Sequence, residues 1–474
     1  MNTNYYIVKK PSLASSGAAR FFGAVMALWL FLTSPAICQA VPSFARQTNL
    51  QCTACHTEFP TLTAFGHLFK LNGYTLSTGQ TQLPPLAVML QPSFTHTSRG
   101  QPGGAAPQFG DNNNAAFSQV SIFYAGRLFG PYASDILPTN AAAIANKLGV
   151  FFQTTYDGAA KTWAWDNAEL RYADTGNIAG HNTSYGFFLN NNPTMEDIWN
   201  STPAWGFPFS GSHLAPGSAA ATLIDGGVSQ QVVGAGIYIM LSNSLYLDVA
   251  GYRTLGARFQ KSMGIDPTEE TQISGVAPYW RIAWERALGG NARWEIGTFG
   301  LAASTFPNRD SSAGNDRIVD IGLDSEYQNS LGRHDITATV SWIHEHQQWD
   351  ASEALGTTSN PSDTLRNLKV TVDYLFDKTY GTAVQYFTIN GDTDSLLYAG
   401  SATGSPRSDG FIFQLNYMPL NKYGGPSFWP RSNVKFSLQY TLYAHFDGSR
   451  TNYNGSNRNA KDNNTTYIEA WIVF

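Results

Sequence analysis

The chain has 474 residues and a net charge of −5, and 13% of its residues are charged, about half the roughly 25% of ordinary globular domains. Mean hydropathy is nonetheless −0.22, so polarity is carried by Asn, Ser, Thr, Gly and Gln. That composition leaves no basic surface for nucleic acid, and with no apolar run of spanning length past residue 85 it excludes a helical membrane protein.

At the N-terminus, Lys9, Lys10 and Arg20 precede an apolar run from Phe21 to Leu32, followed by Ser34, Pro35 and the small-residue site Cys38-Gln39-Ala40. This is the pattern of a cleaved export signal over 1–40, the run being shorter than the roughly 20 residues that cross hydrocarbon. A lipid-anchor reading of Cys38 is disfavoured by Ile37, where a small residue is preferred. After cleavage Cys52 and Cys55 are the only thiols, in an oxidising exported compartment.

Those two cysteines stand in "LQCTACHTEF", residues 49–58, with His56 directly behind the second. Cys-x-x-Cys-His is the spacing of covalent c-type haem attachment: two sulfurs fix the porphyrin and the imidazole reaches the iron. A thioredoxin-like dithiol needs a surrounding βαβ unit and a zinc site needs further ligands nearby, and neither is present. Downstream, Pro60 can open a helix whose apolar stripe is Leu62, Phe65 and Phe69, and Asn72-Gly73 is a stop. With Leu62 at zero, Phe65 and Phe69 fall at about 300° and 340° and His67 at about 140°. His67 is therefore expected on the polar, solvated face, while remaining the nearest imidazole that could serve as distal ligand. Residues 41–84 are too few to bury a porphyrin alone, so the cofactor must borrow a wall.

From residue 86 the period changes to two. Segments of about ten residues alternate between apolar and polar, with centres near 90, 122, 152, 167, 185, 235, 248, 282, 297, 322, 340, 371, 385, 415, 438 and 468. In 433–446, for example, Val434, Phe436, Leu438 and Tyr440 oppose Lys435, Ser437, Gln439 and Thr441. The number of segments is even, and in the later two thirds tight and long gaps alternate, as in an outer-membrane barrel with short periplasmic turns and long external loops. The gap 129–146 breaks that rhythm. "TYIEAWIVF" closes the chain with Ile468, Ala470, Ile472 and Phe474 on alternate positions, as closing strands of bacterial outer-membrane proteins do. The expected fold is all-β: a transmembrane antiparallel barrel of about sixteen strands over 85–474, its lumen plugged or capped by a monohaem segment with one or two short helices over 41–84.

The stretch "PSFARQTNLQCTACHTEFPTLTAFGHLFKLNGY", residues 42–74, resembles the N-terminal segment of the fused monohaem cytochrome-porins, the outer-membrane family that includes bacterial iron oxidases. The resemblance implies one haem c on Cys52 and Cys55 with His56 as axial ligand. It also implies a protein set in outer-membrane lipid, taking electrons from an extracellular metal ion donor, Fe(II), and delivering them to a periplasmic carrier such as a soluble cytochrome. The sixth ligand stays open between His67, Met89 and none; Met89 shares lumen parity with Gln91, and a thioether would raise the potential. Asp320, Asp324, Glu326 and Asp373 have lumen parity and hard oxygens suited to Fe(II), although barrel lumens carry such charges for solvation alone. His344 and His346 continue the outward parity of Val340 and Trp342 and are read as interface residues. Against inward electron transfer stand electron flow in the outward direction, a transport porin with a haem-bearing plug, and a small-molecule haem enzyme.

Overall fold

The computed structural model describes residues 43–79, 84–267, 271–427 and 430–474. The expected export signal lies outside the described residues. Sixteen strands form one antiparallel sheet. The first half comprises β1 Leu86–Thr97, β2 Asn114–Arg127, β3 Leu148–Asp157, β4 Thr162–Ile178, β5 His181–Asn190, β6 Val232–Leu241, β7 Leu245–Thr254 and β8 Ala277–Gly289. The second comprises β9 Ala292–Phe306, β10 Asp316–Leu331, β11 His334–Gln348, β12 Ser362–Phe376, β13 Tyr380–Gly391, β14 Ser408–Tyr417, β15 Asn433–His445 and β16 Thr465–Val473. A two-residue strand, Gln272–Ile273, precedes β8 and pairs with the end of β9. Every segment centre expected from the sequence falls inside one of these strands. β1 pairs with β2 on one side and with β16 on the other, Met89 opposite Val473, so the sheet closes on itself and has no edge.

The alternation decides which way each strand faces. In β15, Lys435, Ser437 and Gln439 are buried in the lumen while Phe436, Leu438 and Tyr440 are 45%, 46% and 37% exposed. Ile237, Val249, Ile282, Ile321, Val372 and Leu415 extend this apolar outer belt round the barrel. Polar inside and apolar outside is the reverse of a water-soluble fold and suits a hydrocarbon surround. Among the described residues no helix is long and apolar enough to cross a membrane; the strands do the crossing.

At one end the turns are tight: 179–180, 242–244, 290–291, 332–333 and 377–379. Ser242 and Asn243, and again Asp377 and Lys378, both take positive φ, the twist-matched geometry of short hairpins. The irregular gap 129–146 lies at this end and holds two short helices, Ala133–Ile136 and Thr139–Ala145. The longest connection, 191–231, leaves the opposite end and folds back into the lumen, where Met195, Ile198 and Trp199 are buried.

The segment ahead of β1 also lies in the lumen, entering from the tight-turn end. Among its described residues are three short helices, α1 Ser43–Thr48, α2 Cys52–Cys55 and α3 Ala64–Leu71. α3 does not start at Pro60: the Thr63 hydroxyl accepts a hydrogen bond from Gly66 N at 3.2 Å and caps the helix there. Pro60 instead serves the preceding loop. The stop is as expected, with Asn72 as C-cap and Gly73 at φ +61°. His67 is not solvated: it is 4% exposed, because the polar face of α3 meets the barrel wall and not water.

Loop 191–231 is held by buried charge. The Arg281 guanidinium donates to Asp324 at 2.8 Å and lies 3.1 Å from Asp197 and 3.2 Å from Glu295. Arg281→Met leaves three carboxylates without their cation, a loss of about 3–5 kcal/mol for a broken buried network. The expected outcome is a barrel that still resists detergent but whose loop 191–231 becomes a protease target, measured by limited proteolysis and mass spectrometry.

Candidate functional site

The Cys-x-x-Cys-His stretch folds as a single helical turn. Ala54 N donates to Gln51 O at 3.0 Å and His56 N to Cys52 O at 2.9 Å, which brings both sulfurs and the imidazole to one side of a compact knot. The chain then doubles back. His56 pairs with Leu62 as an antiparallel bridge, and Thr63 clamps the turn, its N donating to Cys55 O at 2.8 Å and its hydroxyl to Ala54 O at 2.6 Å. Gly66 makes the close approach of α3 feasible, since a Cβ there would collide with the Cys55 carbonyl oxygen.

His56 Nδ1 lies 2.8 Å from Pro60 O. A carbonyl only accepts, so Nδ1 carries the proton and Nε2 keeps its lone pair. Desolvation in the lumen pushes the imidazole down to about 4, outweighing the backbone bonds, so it is neutral at ordinary pH. Burial likewise pushes the thiols of Cys52 and Cys55 up, to about 11 and about 12, and neither forms a disulfide.

Cys52, Cys55 and His56 line a cavity of about 490 Å³ between the N-terminal segment, the barrel wall and loop 191–231, a volume in the range of small-molecule and cofactor sites. Its wall is aromatic. Phe59 stands 5.3 Å from the His56 ring and 5.4 Å from Trp471; Phe207 is 6.3 Å from Trp471 and 5.4 Å from Trp205, and Trp205 is 5.9 Å from Phe151. Two thiols and an imidazole with a free Nε2 at the edge of an apolar, aromatic cavity fit a covalently held porphyrin. Away from the cysteines the lining turns polar, through Gln153, Asp166, Ser210 and His213, and His213 reaches Asp157 at 2.8 Å.

Met89 lines this cavity and His67 does not. His67 turns to the wall, with Nε2 3.5 Å from Glu326 and Nδ1 4.0 Å from Glu285, its ring beside Trp199. Asp320, Asp324, Glu326 and Asp373 face the lumen as their parity requires and all are buried. They are spread along the wall: Asp320 accepts from Ile224 N at 2.9 Å, Asp324 binds Arg281, and Asp373 lies beside Glu58. Among the described residues no group of three His, Cys, Asp or Glu is arranged to hold a bare metal ion. His346 is exposed on the outside and His344 stacks on Trp342, in keeping with an outward position.

Sequence reasoning missed the cation clamp behind the cavity. Lys70 Nζ donates to Asp197 O and to Asn200 Oδ1 at 2.6 Å, and Arg171 donates to Lys70 O at 3.1 Å, Glu196 O at 2.7 Å and Glu169 at 2.7 Å. Tyr74 and Tyr238 complete it, donating to Glu169 and to Leu71 O. The available signals were Glu169 and Arg171 at lumen parity and the tryptophan-rich composition of 199–209.

Gly66→Ala tests the knot. Forcing α3 off the Cys52–Cys55 turn costs about 1–3 kcal/mol; the expected outcome is a lower thermal midpoint for the N-terminal segment, read by tryptophan fluorescence, with barrel strand content unchanged by circular dichroism.

No family model matches the chain, and no curated protein matches it. Solved structures do. The outer membrane channel DcaP of Acinetobacter baumannii is 12% identical, with 82% of this chain and 96% of that chain covered and a TM-score of 0.44. The Salmonella typhi OmpF complex with daunomycin is 14% identical, with 82% and 97% covered and a TM-score of 0.43. An anion-selective porin from Comamonas acidovorans is 10% identical, with 82% and 98% covered and a TM-score of 0.42. The barrel architecture itself rests on this chain's own strand pairing.

Proposed function

We propose that this chain is an outer-membrane electron-transfer protein that carries one haem c in its N-terminal segment and connects an extracellular donor, Fe(II) by the family resemblance, with a soluble periplasmic carrier. The observation that carries the reading is the placement of Cys52, Cys55 and the free Nε2 of His56 on an aromatic cavity inside a closed barrel.

Cys52 and Cys55 would hold the porphyrin through their sulfurs, and His56 would offer Nε2 to its iron. The Pro60 carbonyl fixes its ring orientation, the kind of outer partner that metal-bound imidazoles use. Of Met89 and His67 as a further ligand, Met89 lines the cavity and would be available to the iron, while His67 does not; His213 also stands on the cavity wall. When bound, haem c supplies a one-electron couple whose potential its ligands and surroundings tune. Trp205, Phe207 and Trp471 exclude water from it. Lys70, 5.1 Å from the Trp205 ring, and Lys435, 5.0 Å from that of Trp471, place ammonium groups behind the wall.

The second reading, a transport porin with a haem-bearing plug, is favoured by the closed sixteen-strand barrel, which is wide enough for a channel. The two differ in what crosses: the first conducts electrons past an immobile plug, the second moves solute when the plug shifts.

Purified protein in detergent is expected to show a c-type reduced band and covalent haem on a denaturing gel, both lost in Cys52→Ser/Cys55→Ser with the barrel intact. Mixing with Fe(II) in a stopped-flow spectrometer is expected to develop that band, and an added acceptor to reverse it. A haem-bearing protein inert to Fe(II) would move the donor elsewhere; a chain exported without haem would overturn the proposal. Met89→Ala is expected to lower the midpoint potential in a redox titration, and His67→Ala to leave it within a few tens of millivolts, because only the former removes a cavity-facing donor.

A further inference from the structure

The tight-turn end of the barrel bears a charge pattern that the electron-transfer reading does not use. Turns 332–333, 377–379 and 418–432, which join β10 to β15, carry Arg333, Lys378, Lys422 and Arg431 against one carboxylate, Asp377. The connections at the other ends of the same group of strands, 349–361, 392–407 and 446–464, carry six carboxylates against four cations. The two ends are thus of opposite sign.

The cationic turns are contiguous with the cysteine knot. Asn433, beside the Cys52 thiol, donates to Asn421 Oδ1 at 3.0 Å, and Asn421 donates to Lys378 O at 3.0 Å. Arg431 donates to the side chain of Asn49, three residues before Cys52. Asp377 is shared between Arg333 at 2.7 Å and Lys422 at 2.8 Å, so it neutralises one of the two, and Lys378 is paired with Asp335 at 2.6 Å; the rim keeps a net positive charge through the other of that pair and Arg431. The Arg333 side chain is 63% exposed, Tyr423 is 76% exposed and Leu50, next to the knot, is 36% exposed. Cations ring an exposed aromatic and an exposed aliphatic side chain at the place where the cysteines come nearest the end of the barrel.

We propose that this rim, Arg333, Lys378, Lys422 and Arg431 around Tyr423 and Leu50, is the docking surface for a soluble redox protein with an acidic patch around its own exposed redox centre. The proposal rests on the electron-transfer reading for what docks, but the surface itself is testable without it. Like-signed partners are repelled and acidic ones steered in, an effect on encounter rate that weakens as salt screens it. Few direct contacts are needed, as befits a carrier that must leave after one electron.

The full chain is placed in nanodiscs containing phosphatidylglycerol, and a fluorescent 20-residue polyglutamate probe is titrated by anisotropy at low salt. Binding that weakens with salt, and by at least about tenfold in Arg333→Glu/Lys422→Glu/Arg431→Glu, supports the proposal. Lys161→Glu/Arg317→Glu, at the other end, is expected to bind as the unaltered chain does. Equal binding by the rim variant overturns it, as does binding seen in detergent but lost in the anionic bilayer, which would give the cations to lipid headgroups. On haem-loaded protein, oxidation by anionic ferricyanide is expected to slow in the rim variant and oxidation by a cationic cobalt complex to quicken; the reverse order overturns the proposal. A chain without haem silences only this last readout, so failure of the electron-transfer reading and failure of the docking surface are told apart.

Discussion

The arrangement depends on one buried contact set, the guanidinium of Arg171 and the ammonium of Lys70 where three pieces of chain meet. Arg171 stands on the barrel wall, Lys70 on the N-terminal segment, and Asp197 and Asn200 on loop 191–231; the two cations join them through carbonyls and through Glu169. Desolvation lowers the Lys70 pKa to about 8, with Glu169 the main opposing influence. A buried cation held by several acceptors tolerates little displacement, because moving any one partner strands a charge in a low dielectric. The clamp therefore fixes the segment against both wall and loop, and the cavity between them has a defined shape.

This explains how so short a segment can offer a cofactor-sized site. Residues 43–79 supply the knot and one side of the cavity; the strands supply Met89, Phe151 and Trp471, and the loop supplies Trp205 and Phe207. None of these parts could shield a porphyrin alone. The barrel serves as both membrane anchor and protein interior, and the inverted polarity of its strands makes that feasible. Polar lumen positions become clamp residues and apolar outer positions meet lipid. Of the lumen carboxylates, read from sequence as solvating charges, Asp320 is instead tied to the Ile224 amide and Asp324 to Arg281.

Much of the barrel was legible because a strand with one face in lipid and one in a polar lumen must alternate without exception. Strand centres, lumen parity of Lys435 and Met89, and the outward histidines 344 and 346 all follow from that rule. The knot was legible as a motif of fixed spacing. What was hidden depended on contacts between residues far apart in sequence: the burial of His67 against Glu285 and Glu326, the start of α3 at Thr63, and the inward fold of loop 191–231. A helical wheel places His67 off the apolar stripe, but it cannot say that the polar face meets another polar wall. The loop is drawn in by partners far away in sequence: the ion pairs of Asp197 with Arg281 and of Asp225 with Lys369, and the bond from Arg171 to the Glu196 carbonyl.

The central claim is that electrons cross a barrel whose plug stays seated. The most direct measurement places the protein in sealed vesicles with ferricyanide trapped inside and Fe(II) outside, following ferricyanide bleaching together with leakage of a co-trapped small dye. The account predicts bleaching that requires Cys52 and Cys55 while the dye is retained. Bleaching that persists in Cys52→Ser/Cys55→Ser, or that proceeds only with dye loss, would contradict it and leave a solute pore in its place.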